Sequence, residues 1–179
     1  MYYTGKGDNG TSSIIGYTSI AKHDPIFEAI GSIDELNSAI GVAAYYTHNE
    51  RVRTMLKKIQ NDLFKIGALL AGFNNKGSAR SIDFGIDYVK KLEEEINAMA
   101  AVLPQYKKFI IPGGSESAVH LHLARAIARR AERSVVGASE KYKVSPTIKK
   151  YLNRLSSYLF VAALYVNYSE GINEEHPEY

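Results

Sequence analysis

Cysteine is absent from all 179 residues, which excludes disulfide staples, thiolate zinc sites and cysteine nucleophiles. No apolar run approaches the roughly 20 residues that a membrane-spanning helix requires, and the amino-terminal stretch Met1-Tyr2-Tyr3-Thr4-Gly5-Lys6 lacks the apolar segment of a secretion signal. Charge of one sign is scarce too. The net charge is +3 with basic and acidic residues interspersed, so neither a nucleic acid nor an anionic membrane is demanded as a partner. These absences predict a cytoplasmic protein. What is present, 45% hydrophobic and 23% charged residues, suits one globular domain over residues 1–179.

Glycine and small polar residues dominate Thr4 to Ser13, which reads as a loop tipped by an Asn9-Gly10 turn. Helical signals then take over. Asp24-Pro25 is a cap followed by proline at the first helical position, and Ile26, Ile30, Ile33, Leu36, Ile40 and Ala43 recur at helical spacing. A second helix starts near Glu50, with Val52, Leu56, Ile59, Leu63, Ile66 and Leu70 on one face. It stops in the polar run Gly72 to Ser81, expected to be a mobile connection. A third carries Ile86, Val89, Leu92, Ile96 and Met99, and a short extended piece at Phe109-Ile110-Ile111 leads to Pro112-Gly113-Gly114. Ser115 caps a fourth helix and Ser145-Pro146 opens a fifth, with a polar, frayed tail expected after Asn167. The pattern predicts an all-α, up-and-down bundle of about five helices with a short glycine-rich amino-terminal loop.

The fourth helix sorts its side chains into three stripes. Leu121, Ala124, Ala128, Ala131 and Val135 form one apolar stripe. Val119, Leu123, Ala126 and Ile127 lie roughly opposite, with Arg130 and Ser134 among them. Between the two run His122, Arg125, Arg129, Glu132 and Arg133. A helix apolar on two sides packs on its own bundle with one and fits another subunit with the other. Its arginines then require paired anions, and the guanidinium fork suits carboxylates and phosphates. The competing reading is a solvated charged face, with Glu132 offsetting its neighbours.

The amino-terminal Gly5-Lys6-Gly7-Asp8-Asn9-Gly10 matches G-x-G-x-x-G in form only. A dinucleotide fold needs a full strand before the loop and a helix straight after it, and a Walker A loop needs Lys-Ser/Thr after Gly10, where Thr11-Ser12 stand instead. What remains is a glycine loop whose N–H groups approach phosphate, with Thr4, Thr11, Ser12 and Ser13 as further donors and Lys6 and Lys22 as charges. An ordinary flexible terminus is the competing account. His120 and His122, two apart on a helix, diverge and share no metal, so no histidine metal site is expected. Asp34 and Glu35 read as one exposed and one paired acid.

Taken together, the segments resemble the PduO-type corrinoid adenosyltransferases from about Tyr3 to Tyr168. The resemblance is carried by the Thr4–Gly10 loop, Lys22, Gly31-Ser32-Ile33-Asp34-Glu35-Leu36-Asn37 and Phe109-Ile110-Ile111-Pro112-Gly113-Gly114. Arg125, Arg129-Arg130-Ala131-Glu132-Arg133 and Tyr151-Leu152-Asn153-Arg154-Leu155-Ser156 complete it. It implies a homotrimer with active sites between subunits, and transfer of the 5′-deoxyadenosyl group of ATP to cob(I)alamin.

By the same resemblance, Thr4, Gly5, Lys6, Gly7, Asp8, Gly10, Ser12, Ser13 and Lys22 hold the triphosphate, and Arg129, Arg130, Glu132, Arg133 and Asn153 complete the ATP site. Asp34 pairs with Arg125 across the interface. Phe109 crowds the lower corrin face, so that four-coordinate Co(II) is reduced more readily, and Phe109 and Arg129 are the catalytic candidates. Magnesium is expected on the ATP phosphates; a reductase and an adenosylcobalamin-dependent acceptor enzyme are the implied partners. One departure stands out: Ser157 occupies a position where the family commonly carries an acid. Two rivals remain, a non-catalytic carrier or sensor of ATP or adenosylcobalamin, and a helical interaction module without a nucleotide site.

Overall fold

The computed structural model describes residues 2–73 and 82–178. Five helices, α1 (Pro25–Tyr46), α2 (Glu50–Leu70), α3 (Ile86–Ala100), α4 (Glu116–Ala138) and α5 (Pro146–Ser169), follow a two-stranded hairpin, β1 (Thr11–Ile14) and β2 (Tyr17–Ala21). The helix starts are where side chains can satisfy free N–H groups. Asp24 accepts from the Ile26 N–H, Asn49 from Val52, Ser115 from Ala118 and Ser145 from Thr147. Proline stands at the first turn of α1 and α5, where its missing N–H costs nothing.

α4 lies between α1 and α5, with α2 flanking α1 and α3 flanking α5. Directions alternate. Ser117 donates to the Tyr46 carbonyl at one end of the α1/α4 pair while Arg130 meets Glu35 further along it, so the two helices run antiparallel. The inward stripe of α4 is built of small residues: Ala118, Ala124, Ala128, Ala131 and Ala138 are completely buried together with Leu121 and Val135. Small side chains let α1 and α5 approach closely on either side, and the larger Leu and Ile residues of the neighbours fill the space. Among the described residues no helix is long and apolar enough to cross a membrane.

Three expectations change. Thr11–Ile14 is a strand rather than loop, paired antiparallel with Tyr17–Ala21, and the chain reverses at Ile15-Gly16 instead of at Asn9-Gly10. Gly16 has φ +88°, which a side-chain-bearing residue adopts only with strain. The tail after α5 does not fray but folds back on the segment before α4, donating and accepting hydrogen bonds there. Phe109-Ile110-Ile111 forms no strand; its Ile111 N–H is donated to the Glu175 carbonyl at 2.9 Å. The polar connection expected at Gly72 to Ser81 lies, from residue 74 on, outside the described residues.

Candidate functional site: an arginine groove and a glycine loop

Four of the predicted ATP-site residues converge on one surface. Arg129, Glu132 and Arg133 of α4 line an open groove of about 350 Å³ with Val136 and, from α5, Asn153. Asn153 donates to Glu132 at 3.0 Å and accepts from Arg154, itself held by Glu93 of α3 at 2.7 Å. Helical spacing accounts for the α4 set, since residues three and four apart share a face. Only the packing of α5 on α4 could bring Asn153 there. Arg130 turns aside to the exposed Glu35 of α1 at 2.5 Å, leaving Asp34 exposed and without an ion pair among the described residues.

Arg129 also borders a neighbouring hollow of about 240 Å³, lined by Arg125, Ser156, Ser157, Phe160 and Val161. Here Arg125 lies over the Phe160 ring at 6.0 Å, and its buried Nε has no hydrogen-bond partner among the described residues. Burial first, and then the adjacent Arg129 charge, push the Arg125 guanidinium below its ordinary pKa. An anion reaching this hollow would relieve both. Ser157 stands in it as a neutral group, and among the described residues no carboxylate lines the hollow.

His122 is buried beside Arg125 with neither ring nitrogen partnered among the described residues, and burial, then the Arg125 charge, lowers its pKa from 6.5 to about 4. It is a neutral imidazole. His120 stacks on Tyr46 at 4.5 Å instead, and among the described residues no three histidine, aspartate or glutamate side chains gather as a metal site would require.

The glycine loop sits at the hairpin end of the bundle. Two turns shape it, Asp8 N–H to Gly5 O and Gly10 N–H to Gly7 O, both at 3.2 Å, and the Lys6 N–H reaches Thr4 Oγ1 at 3.4 Å. Lys22 closes the loop: its N–H is donated to the Gly10 carbonyl at 2.9 Å, and its ammonium lies 3.0 Å from where a Cβ on Gly7 would stand. A side chain at Gly7 would displace that charge. Ser12 and Ser13 follow in β1, Ser13 Oγ accepting the Ser19 N–H at 3.4 Å. The predicted phosphate-binding residues therefore form one cluster. Among the described residues no hydrogen bond or ion pair joins it to the arginine groove.

Phe109 lies at the opposite end of α4 and is 78% exposed. It borders a cavity of about 440 Å³ with Tyr106, Lys107, Lys108 and Pro177. Sequence reasoning missed two features of this end. Asn167, completely buried, accepts the Ser115 N–H at 3.0 Å and donates to the Gly113 carbonyl and to Glu174. Gly114, at φ +99°, must be glycine, because a Cβ would stand 2.2 Å from the Asn167 amide. A buried asparagine at the end of an apolar helix was the available signal. The carboxy-terminal tail carried none.

The fold is a five-helix bundle with a lysine-closed glycine loop and a groove between two of its helices lined by guanidinium groups, whose donor fork suits carboxylates and phosphates. The chain belongs to the cobalamin adenosyltransferase family, whose model matches residues 2–166. It is 39% identical over 176 residues to a corrinoid adenosyltransferase of Bacillus subtilis (strain 168), covering 96% of this chain and 89% of that protein. Its fold superposes with a TM-score of 0.92, at 36% identity and over 99% of this chain and 97% of the other, on a phenylalanine-to-histidine variant of the PduO-type ATP:corrinoid adenosyltransferase from Lactobacillus reuteri complexed with cobalamin and ATP. An arginine-to-lysine variant of the same enzyme, complexed with ATP, matches with a TM-score of 0.88 at 37% identity, over 98% and 99% of the two chains.

Proposed function

We propose that this chain is an ATP:corrinoid adenosyltransferase that moves the 5′-deoxyadenosyl group of ATP to the cobalt of a reduced corrinoid. The observation that carries the reading is the convergence of Arg129, Glu132, Arg133 and Asn153 on one groove, in a fold shared with enzymes complexed with ATP and cobalamin. In the reaction the electron pair of Co(I), a substrate, forms the bond to C5′, and the C5′–O pair leaves with triphosphate. The chain supplies no nucleophile. Its residues hold the departing triphosphate as negative charge gathers on the leaving oxygen: Lys22, Lys6 and the loop N–H groups from one side, Arg129 and Arg133 from the other. Magnesium held on the ATP phosphates would share that charge with Lys6, Lys22, Arg129 and Arg133.

The two half-sites meet between subunits of a homotrimer on this reading. Asp34, exposed and without an ion pair among the described residues, would then neutralise the partner's arginine at the position of Arg125, whose buried Nε has no partner among those residues. The outward apolar stripe of α4, with Val119 40% and Leu123 56% exposed, becomes covered. Phe109 crowds the lower corrin face and favours reduction of four-coordinate Co(II).

An anaerobic assay of the purified chain with chemically reduced cobalamin, magnesium and ATP tests the proposal. The expected result is ATP-dependent conversion of the Co(I) spectrum to that of adenosylcobalamin, with triphosphate as coproduct. ATP binding without conversion would instead assign a carrier or sensor. Arg129→Ala lowers turnover at least about tenfold, equivalent to about 1.4 kcal/mol at the transition state. Unchanged kinetics in the folded variant would remove Arg129 from the mechanism.

A further inference from the structure

The Phe109 ring is 78% exposed, so core packing does not set its direction. What holds it is backbone, and the backbone bonds come from the far end of the chain. α5 closes at Gly171, φ +72°, where the Ile172 N–H returns to the Asn167 carbonyl at 2.9 Å. The next residues run back along the segment before α4. Glu174 accepts from the buried Asn167 amide at 3.1 Å, the Glu175 carbonyl accepts the Ile111 N–H at 2.9 Å, and His176 Nδ1 lies 2.8 Å from the Phe109 carbonyl. Pro177 then borders the same cavity as the Phe109 ring. A carbonyl oxygen only accepts, so the His176 ring carries its proton on Nδ1.

We infer that His176 is a positioning residue for Phe109: with the Glu175 carbonyl it clamps the backbone on both sides of Ile110 and so fixes where the exposed phenyl ring stands. Asn167 is the anchor of the clamp, tying the tail to the Gly113–Ser115 turn through one amide. The loop has no comparable support of its own. Among the described residues, the backbone–backbone bond to Glu175 is the one that residues 105 to 111 make outside regular elements. Without the clamp the ring samples many positions, and any task that depends on its place suffers while the glycine loop, at the other end of the bundle, is untouched. The inference rests on the proposed role of Phe109 in preparing Co(II) for reduction.

The test compares His176→Ala, His176→Asn, Phe109→Ala and the double variant Phe109→Ala/His176→Ala in assays started from Co(II) with a mild chemical reductant and from Co(I) already reduced. His176→Ala is expected to lower the Co(II)-started rate about fivefold, with the Co(I)-started rate and the KM for ATP within about twofold of the parent. His176→Asn, which keeps a donor near the Nδ1 position, restores most of the loss. In the Phe109→Ala background the His176 substitution adds nothing, because the group it positions is gone. Equal losses in both assays, or losses that add in the double variant, would overturn the assignment. Hydrogen exchange of residues 105–112 separates the two ideas: His176→Ala should speed it about tenfold whatever Phe109 does for cobalt. Unchanged protection ends the clamp, whereas faster exchange with a normal Phe109→Ala rate ends the proposed role of Phe109 instead.

Discussion

The two faces of α4 are built from one helix and one set of backbone bonds, yet they have opposite characters. The inward face is alanine-rich and completely buried; the outward face keeps Val119 and Leu123 in solvent beside a row of arginines. Size matters on the first because two helices press against it, and even one added methylene meets close-packed neighbours. On the second, large apolar groups stand uncovered, and in the stripe between the two faces Arg125 and His122 hold polar atoms buried without partners among the described residues. The inward face is complete within the chain, while the outward face is the one that the proposed assembly would cover.

Charge on the outward face should break this contrast most severely. Leu123→Asp is expected to abolish the proposed assembly, since burying an unpaired carboxylate costs about 3 kcal/mol or more at each interface. Light scattering would then give the mass of one chain while circular dichroism keeps the helical signal; a surviving trimer would show that this stripe is not the interface. A second effect comes from His122, whose pKa falls from 6.5 to about 4 on folding. Because the folded chain binds its proton less readily, stability is complete above the unfolded value and is lost as pH falls from 6.5 toward 4. The loss amounts to about 3 kcal/mol, read from urea midpoints across that range, and His122→Leu should flatten it. Asp24 has a separate window. The Ile26 N–H, and next Lys141, hold its carboxyl below 3.8, so its contribution persists above that pH and disappears only in stronger acid.

On the inward face, Ala128→Leu should destabilise by about 2 kcal/mol through overpacking between α1 and α5, with the urea midpoint as the measure. A neutral result would mean that the alanine row is not as tightly packed as its burial implies. The smallest change expected is Tyr151→Phe. The buried Tyr151 hydroxyl donates to Asp62 at 3.0 Å, an acid that desolvation pushes above its usual pKa, and losing that bond costs about 1 kcal/mol. Tyr151→Phe should also leave turnover unchanged, because Asp62 faces α5 rather than the groove.

Much of the bundle was legible because helices announce themselves locally. Asp24-Pro25, Ser115 and Ser145-Pro146 are short-range signals, and the apolar residues at helical spacing are the ones that became the core. The β1/β2 hairpin was missed although Ile14-Ile15-Gly16-Tyr17-Thr18 carried β-branched and aromatic residues about a glycine. The Asn9-Gly10 pair was the stronger local turn signal and drew attention from it. For the site, helical periodicity put the α4 arginines in one stripe, and their expected place at ATP came by resemblance. Asn153 entered the expectation by resemblance, and its place in the groove depends on how α5 packs against α4.

By itself the sequence determined five helices, their caps, the glycine loop and the two-faced character of α4, because each depends on residues within a few positions of one another. Only the tertiary structure decided that Lys22 folds over Gly7, that Arg130 pairs with Glu35, and that residues 174–176 return to hold Phe109. Those pairings join positions far apart in the chain, and no local preference chooses among them. They are set when whole helices pack and leave each polar group with the partners that remain within reach.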